Sequence, residues 1–375
     1  MTAQDEQIAA PAAPVTAERG LLLDSLRIQG FRGFRDLQIA RLGRVNLIVG
    51  QNNVGKTALL EALRLYASGG SPGVLWALLD ERNELRLPNL GDRSDGESRM
   101  LALRYLFYQR APITRQLSPL TIGSLAGPGF TMQVQVSGDN GSYTRQTDLV
   151  VRKGDQEIRY SLDDGFPSRK AWDTTEGMDT PYTYIPATGL RTSEANLLWD
   201  RLLVTSAEDD VIQALQIITP AIQRLNFVDP QPGAGAPPVP FERIAVVKLA
   251  GSPLALPLHS FGDGMSRAFG IGLGLVNAQA GLALIDEIDS GLYHGVQTEL
   301  WRLIFRVARR LNVQVFATTH SWDCLESFTK AAIEDTESDG VLISLRYKKG
   351  TDDVQAVLFD EEDLEIVTHE QIEIR

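Results

Sequence analysis

The chain opens on three strand-like pieces, LLDSLRIQGF (22–31), FRDLQIA (34–40) and RVNLIV (44–49). The last is a β-branched apolar run that predicts a buried strand. KTALLEALRLYAS (56–68) then shifts to helical spacing. Residues 70–129 carry a mixed pattern, with ESRMLALRYLFYQR (97–110) the most helical piece. From 130 to 161 apolar and polar positions alternate through FTMQVQVSG, SYTRQTDLVVRKG and QEIRYSL. The breaks GDNG (138–141) and KGDQ (153–156) are hairpin signals, so this stretch predicts an antiparallel β layer. Residues 193–225 predict two helices, the second introduced by Ser206 with acids at 208–210 in its first turn. DPQPGAGAPPVP (229–240) is a flexible, Pro/Gly-rich linker.

From 242 onward strands and helices alternate again. RIAVVKLA predicts a strand, followed by a glycine-rich turn at 260–264 and a long apolar helix. Then come a strand LALID (282–286), a helix (295–311), a strand VQVFATT (313–319) and a helix from 321. AFGIGLGLVNAQAGLALI (268–285) has the length of a membrane span. Its glycines, Asn277, Gln279 and the DEID that follows predict instead a buried helix, a turn near Gly281 and a central strand. The pattern therefore predicts an α/β core in two sequence halves, 20–69 and 242–375, with a helical and antiparallel β insertion at 70–241.

Composition narrows this. A net charge of −12 over 375 residues argues against a protein that coats DNA by itself, while leaving room for a local basic stripe. The lone cysteine, Cys324, excludes an internal disulfide framework and suits a reducing cytoplasm. Residues 1–19 lack the basic start and apolar core of a signal peptide and read as a disordered tail. No membrane association is expected.

Chemistry enters at Gly50-Gln51-Asn52-Asn53-Val54-Gly55-Lys56-Thr57, which fits G-x-x-x-x-G-K-[ST] between a predicted strand and a predicted helix. Such a loop wraps so that backbone N–H groups face an anion, and the helix N-terminus adds partial positive charge. Lys56 would reach the β- and γ-phosphates of a nucleotide, with the Thr57 hydroxyl on Mg²⁺. A second carboxylate is needed for that metal, and GLALIDEID (281–289) supplies Asp286 at the end of a central strand. Glu287 would position or deprotonate the attacking water. His320, ending VQVFATTHS (313–321), stands where ligands of open α/β sheets gather and would bond the γ-phosphate; the alternative is a surface histidine. Ser260-Phe261-Gly262-Asp263-Gly264 opens the long apolar helix as another anion-binding helix start. One phosphate cannot need two such loops from one chain, so this turn either serves another molecule's nucleotide or is helix capping by Ser260 or Asp263.

In this order the pieces resemble an ABC-type ATPase head: Gly50–Thr57 as Walker A, Ser260–Gly264 as signature, Leu282–Glu287 as Walker B and His320 as switch histidine. The opening LRIQGFRGFRDLQI before VNLIVGQNNVGKTALLEAL is similar to the SMC/RecF-like branch, and closer still to the ATPase part of overcoming lysogenization defect (OLD) proteins. The resemblance implies a mixed central sheet and ATP with Mg²⁺ as ligands. It also implies an ATP-stimulated homodimer in which the signature of one subunit covers the nucleotide of the other. Arg32, in the FRGF turn, would lie near the nucleotide. Phe261 departs from the glycine of transporter-type signatures, and Gln109 and Gln116 are the glutamines available for a Q-loop.

OLD nucleases carry a Toprim domain after the ATPase, and the roughly 45 residues after 330 are too few for one. The expected function is thus an ATPase that regulates a separate effector, a Toprim-type nuclease, in defence against phage or foreign DNA. The alternative is a RecF/SMC-like, ATP-dependent clamp on double-stranded DNA in repair. Arg302, Arg306, Arg309 and Arg310, sharing one helix flank, are the feature that favours it.

Overall fold

The computed structural model describes residues 20–85, 102–110, 118–127, 129–137, 146–162, 180–202, 207–229, 243–335, 337 and 339–359. The 1–19 tail, most of the 229–240 linker, the GDNG turn, Ser206 and Gln116 lie outside them.

A six-stranded sheet forms the centre. It contains β3 (Val45–Gly50), β8 (Tyr182–Ile185), β12 (Leu282–Ile285), β13 (Gln314–Thr318), β14 (Gly340–Tyr347) and β15 (Val354–Phe359). Their order is β15-β14-β3-β13-β12-β8, all parallel except the antiparallel edge strand β15. Every residue of β3 is buried, as a central parallel strand requires. Successive side chains feed different cores: Ile48 joins Leu282, Leu284 and Phe316 on one face, while Val45, Leu47 and Val49 join Val315 and Ile285 on the other.

The first face carries helix α1 (Lys56–Ala67) and α2 (Pro72–Glu81), and beyond them an antiparallel sheet. That sheet comprises β1 (Leu26–Phe31), β2 (Phe34–Ile39), β4 (Leu120–Gly123), β5 (Phe130–Ser137), β6 (Gln146–Lys153) and β7 (Gln156–Ser161), in the order β2-β1-β4-β5-β6-β7. Sandwiched between two sheets, α1 buries ten of its twelve residues. The opposite face carries α6 (His294–Arg310) and α7 (Trp322–Glu334). A third layer packs α3 (Thr192–Leu202), α4 (Glu208–Gln216) and α5 (Asp263–Asn277) against a small sheet of β9 (Ile222–Val228), β10 (Ile244–Leu249) and β11 (Ala255–Pro257). The fold is α/β, with a mixed central sheet beside an antiparallel layer.

The structure departs from the sequence pattern in four places. β8 comes from inside the 70–241 segment yet pairs with β12 in the central sheet, whereas β1 and β2, from the 20–69 half, join the antiparallel layer through β4. Residues 222–225, expected to close a helix, instead begin β9, which pairs with β10. The expected 243–250 strand thereby sits in the small sheet as β10. Residues 103–110 form only two short 3-10 turns. The strand departures are decided by long-range pairing, which local periodicity does not encode. The apolar stretch 268–285 resolves as expected into the end of α5, a turn and β12. Among the described residues no helix is long and apolar enough to cross a membrane.

Candidate functional site

The loop after β3 turns on two glycines. Gly50 has φ +148, and a side-chain carbon there would fall 2.5 Å from the Leu345 carbonyl oxygen. Gly55 has φ +112, and its side-chain carbon would meet the Phe34 ring at 2.8 Å. Both positions therefore demand glycine on two counts. Asn53, at φ +65, takes the third left-handed position, which asparagine tolerates, and the Tyr347 hydroxyl donates to its carbonyl at 3.1 Å. Lys56 is buried and donates to the carbonyls of Gly50 (2.7 Å) and Gln51 (3.0 Å), so the ammonium lies folded inside its own loop. Burial pushes it down to about 8, against the opposing pull of Asp286 and Glu287.

The acidic pair meets this loop. Thr57 Oγ1 donates toward both Asp286 oxygens, at 3.3 and 3.1 Å, and Thr318 Oγ1 donates to Asp286 Oδ1 at 2.6 Å. Glu287 follows in the left-handed region at φ +47, with its N–H on Thr318 Oγ1 at 2.8 Å. Its carboxylate is half exposed and lies 3.4 Å from His320 Nε2. Next along, Thr319 Oγ1 donates to Asp289 at 2.5 Å, and Ser321 caps α7 by accepting from the Cys324 N–H. A cleft of about 1860 Å³ opens over this constellation, lined by Asn52–Ala58, Asp286, Glu287 and His320 among others.

The second glycine-rich turn stands elsewhere. Leu258–Phe261 is a 3-10 turn and Gly262, at φ +88, caps α5 with no side-chain bond, so neither Ser260 nor Asp263 acts as the cap. Ser260, Gly262 and Asp263 are exposed, and none of 260–264 is among the described residues lining the cleft. The turn does touch the segment after the acidic pair: a side-chain carbon on Gly264 would fall 2.8 Å from the Gly291 oxygen.

Arg32 lines the cleft, but its guanidinium is engaged away from the phosphate loop. Nε lies 2.6 Å from Glu61, Nη1 2.9 Å from Glu84, and Nη2 donates to the Leu78 carbonyl. Glu61 also holds Arg82 at 2.7 Å, making a buried ion network between α1 and α2. Three arginines of the α6 flank are similarly engaged: Arg302 pairs with Glu299 and Glu334, Arg309 with Asp335 and Glu337, and Arg310 with Asp210. His294 starts α6 with its ring 4.2 Å from Tyr293, and His259 bonds Ser266 at 3.0 Å. Gln109, one of the two available glutamines, lines the cleft at φ +56.

Two groups escaped the sequence pattern. Thr318 holds both acids, and Arg267 of α5 reaches the carbonyls behind them. Arg267 had a signal: it is a lone cation in an otherwise apolar helix. Burial pushes its guanidinium down to about 10, so it stays charged at neutral pH. The donor set fits a nucleotide with Mg²⁺. Among the described residues no cluster of three or more His, Cys, Asp or Glu could hold a metal alone. A hydroxyl and one carboxylate, with phosphate and water completing the shell, is how Mg²⁺ is commonly held.

Comparison with known proteins agrees with this chemistry. A family model described as "AAA domain, putative AbiEii toxin, Type IV TA system" matches residues 200–323, and a second, described as "AAA domain", matches 25–75. The chain is similar to an ATP/GTP phosphatase of Helicobacter pylori, with 22% identity over 329 residues, covering 81% of this chain and 87% of that protein. It is also similar to an uncharacterized protein of Methanocaldococcus jannaschii, 43% identical over 47 residues, a match spanning 12% of this chain and only 22% of that protein's length. Among solved structures, an Smc head bound to the C-winged helix domain of ScpA aligns over 93% of this chain and 99% of its own, at 12% identity and TM-score 0.49. The SMC head domain from Thermotoga maritima aligns over 91% and 100%, at 13% identity and TM-score 0.43. The family matches, with the phosphate loop and acidic pair, support an AAA-type ATPase.

Proposed function

We propose that this chain binds and hydrolyses ATP in the cleft over Gly50–Thr57, and that the hydrolytic cycle controls a separate effector protein. The observation that carries this reading is the meeting of Thr57 with Asp286 beside Lys56 and Glu287, two halves of one mechanism from opposite ends of the chain. The loop amides and the α1 N-terminus face the phosphates, and Lys56 leaves its carbonyl partners for the β- and γ-oxygens. Thr57 and Asp286 would hold Mg²⁺, which when bound neutralises charge developing on those oxygens. Glu287 orients a water in line with the γ-phosphorus and takes its proton as the new P–O bond forms and the bond to the ADP oxygen breaks. His320, touching Glu287, fixes that carboxylate and faces the γ-phosphate. The name of the H. pylori relative supports nucleotide hydrolysis as the activity.

The second turn, Ser260–Gly264, lies outside its own cleft and serves the nucleotide of a second copy, giving an ATP-stimulated homodimer with two ATP at the interface. In this reading 20–69 and 242–375, completed by β8 from the segment between them, form the ATPase core of an OLD-like protein, other parts of 70–241 dock the effector, and the effector is a Toprim-type nuclease used against phage or foreign DNA in the cytoplasm. The RecF-like clamp on double-stranded DNA is disfavoured, because three of the four arginines on the α6 flank are already paired with acids.

The test is the solution mass of E287Q with and without Mg²⁺ and ATP. The substitution removes the base and keeps the binding groups, so a monomer without nucleotide should become a dimer with it. A protein that binds ATP yet stays monomeric sinks the shared-site mechanism. DNA cleavage by the purified chain alone sinks the separate-effector reading.

A further inference from the structure

Arg267 is 3% exposed, and among the described residues its guanidinium donates only to backbone carbonyls. It donates to three consecutive carbonyls, those of Asp286, Glu287 (2.8 Å) and Ile288 (3.4 Å), and to Pro186 at the end of β8 (2.6 Å). Three consecutive carbonyls converge on one planar group because the chain reverses at Glu287, whose φ of +47 is unfavourable for a side-chain-bearing residue. Such a conformation persists where its surroundings over-determine it. The Thr318 hydroxyl holds the amide side of this turn and Arg267 the carbonyl side. Arg267 also belongs to α5, whose first turn is the exposed glycine-rich turn packed on Gly291.

We infer that Arg267 is a positioning residue: it fixes the turn that aims Glu287 and links that turn mechanically to the second glycine-rich turn. The inference rests on the reading of Glu287 as the base. Guanidinium is the group for the task, since a lysine offers one nitrogen where four carbonyls must be spanned.

The experiment compares R267Q, R267K, E287Q and R267Q/E287Q by single-turnover ATP hydrolysis, Mg-ATP affinity and hydrogen exchange of the Glu287 and Ile288 amides. R267Q should slow hydrolysis about 30-fold or more, the scale of a small misplacement of a reacting group, with affinity within about threefold. R267K should recover part of the rate, and it carries the test if R267Q fails to fold. On the E287Q background the arginine change should add less than about twofold, because both act through one group. The two amides should exchange faster in R267Q while β12 stays protected. An unchanged rate, an additive loss in the double variant, or affinity falling in step with rate overturns the inference. If E287Q hydrolyses like the wild type, the reading of Glu287 fails. Hydrogen exchange then decides the arginine alone: faster exchange keeps its structural link to the turn, and unchanged exchange removes it.

Discussion

Thr57 Oγ1 lies 3.1 Å from Asp286 Oδ2, although 229 residues separate the two in the chain. The contact joins the first turn of α1 to the end of β12, and Thr318 grips the same carboxylate from β13. With so few protein ligands available, each should weigh heavily on Mg²⁺. T57A should raise the Mg²⁺ concentration for half-maximal turnover roughly tenfold, the equivalent of about 1.4 kcal/mol. D286N, which removes the charge, should all but abolish turnover. A Mg²⁺ titration of T57A that overlays the wild type would show that the pair is a structural hydrogen bond and no metal site.

Lys56 should make nucleotide binding depend on pH. In the free protein burial lowers it to about 8 from an ordinary 10.5. The sign is that of a depressed base: below about 8 the folded chain carries the buried charge, and stability rises as pH climbs from there toward 10.5, where only the unfolded chain would bind the proton. A polyphosphate favours the charged form and pulls the pKa back up. Binding above pH 8 should therefore take up close to one proton, and affinity should weaken as pH rises. Calorimetry in buffers of different ionisation enthalpy at pH 8.5–9 reads the uptake. K56M should bind weakly with no proton linkage, and equal linkage in both proteins would assign it to another group.

Arg32 and Glu61 should matter to stability more than to nucleotide. Removing one partner of a buried ion pair strands the other, so E61L should cost roughly 3–5 kcal/mol in urea unfolding. R32M/E61L should recover part of that loss, because the stranded guanidinium is gone, with Glu84 and Arg82 limiting the recovery. R32M alone should leave ATP affinity within about threefold, a change of under 1 kcal/mol. A larger loss of affinity at unchanged stability would return Arg32 to the nucleotide.

These cases show where the sequence was informative. Gly50–Thr57 and Asp286–Glu287 were legible because each needs a short, fixed run of residues at the end of a local apolar strand. Phosphate binding by backbone amides leaves few alternatives for such a run. Arg32 was legible as a residue at the cleft, but its partners were not, since Glu61 and Glu84 come from α1 and from the segment after α2. β8 was lost because four residues, Tyr182–Ile185, give too short a period to rank as a central strand, and its pairing with β12 is made a hundred residues away. Arg267 was visible as a misplaced charge in α5. Only the folded chain shows the four carbonyls that compensate it.

The docking of β8 against β12 makes its own prediction through Gly281. This residue leads into β12, and the Leu282 N–H donates to the Pro181 carbonyl at 2.9 Å. A side-chain carbon on Gly281 would sit 1.9 Å from the Pro181 oxygen and 2.6 Å from its carbonyl carbon. The obstacle is backbone, which cannot swing aside as a side-chain end does, so the two strands must separate where β8 enters the sheet. G281A should cost about 3 kcal/mol, the upper end of what overpacking usually does. G33A is the control: nothing lies within 4 Å of the added carbon, so its effect should stay within about 0.5 kcal/mol. Urea denaturation of both variants against the parent reads the difference. Because Pro186, whose carbonyl Arg267 holds, directly follows β8, G281A should also slow hydrolysis at temperatures where the protein is fully folded. If G281A proves as stable as G33A, β8 does not sit beside β12, and Tyr182–Tyr184 do not line the proposed catalytic cleft.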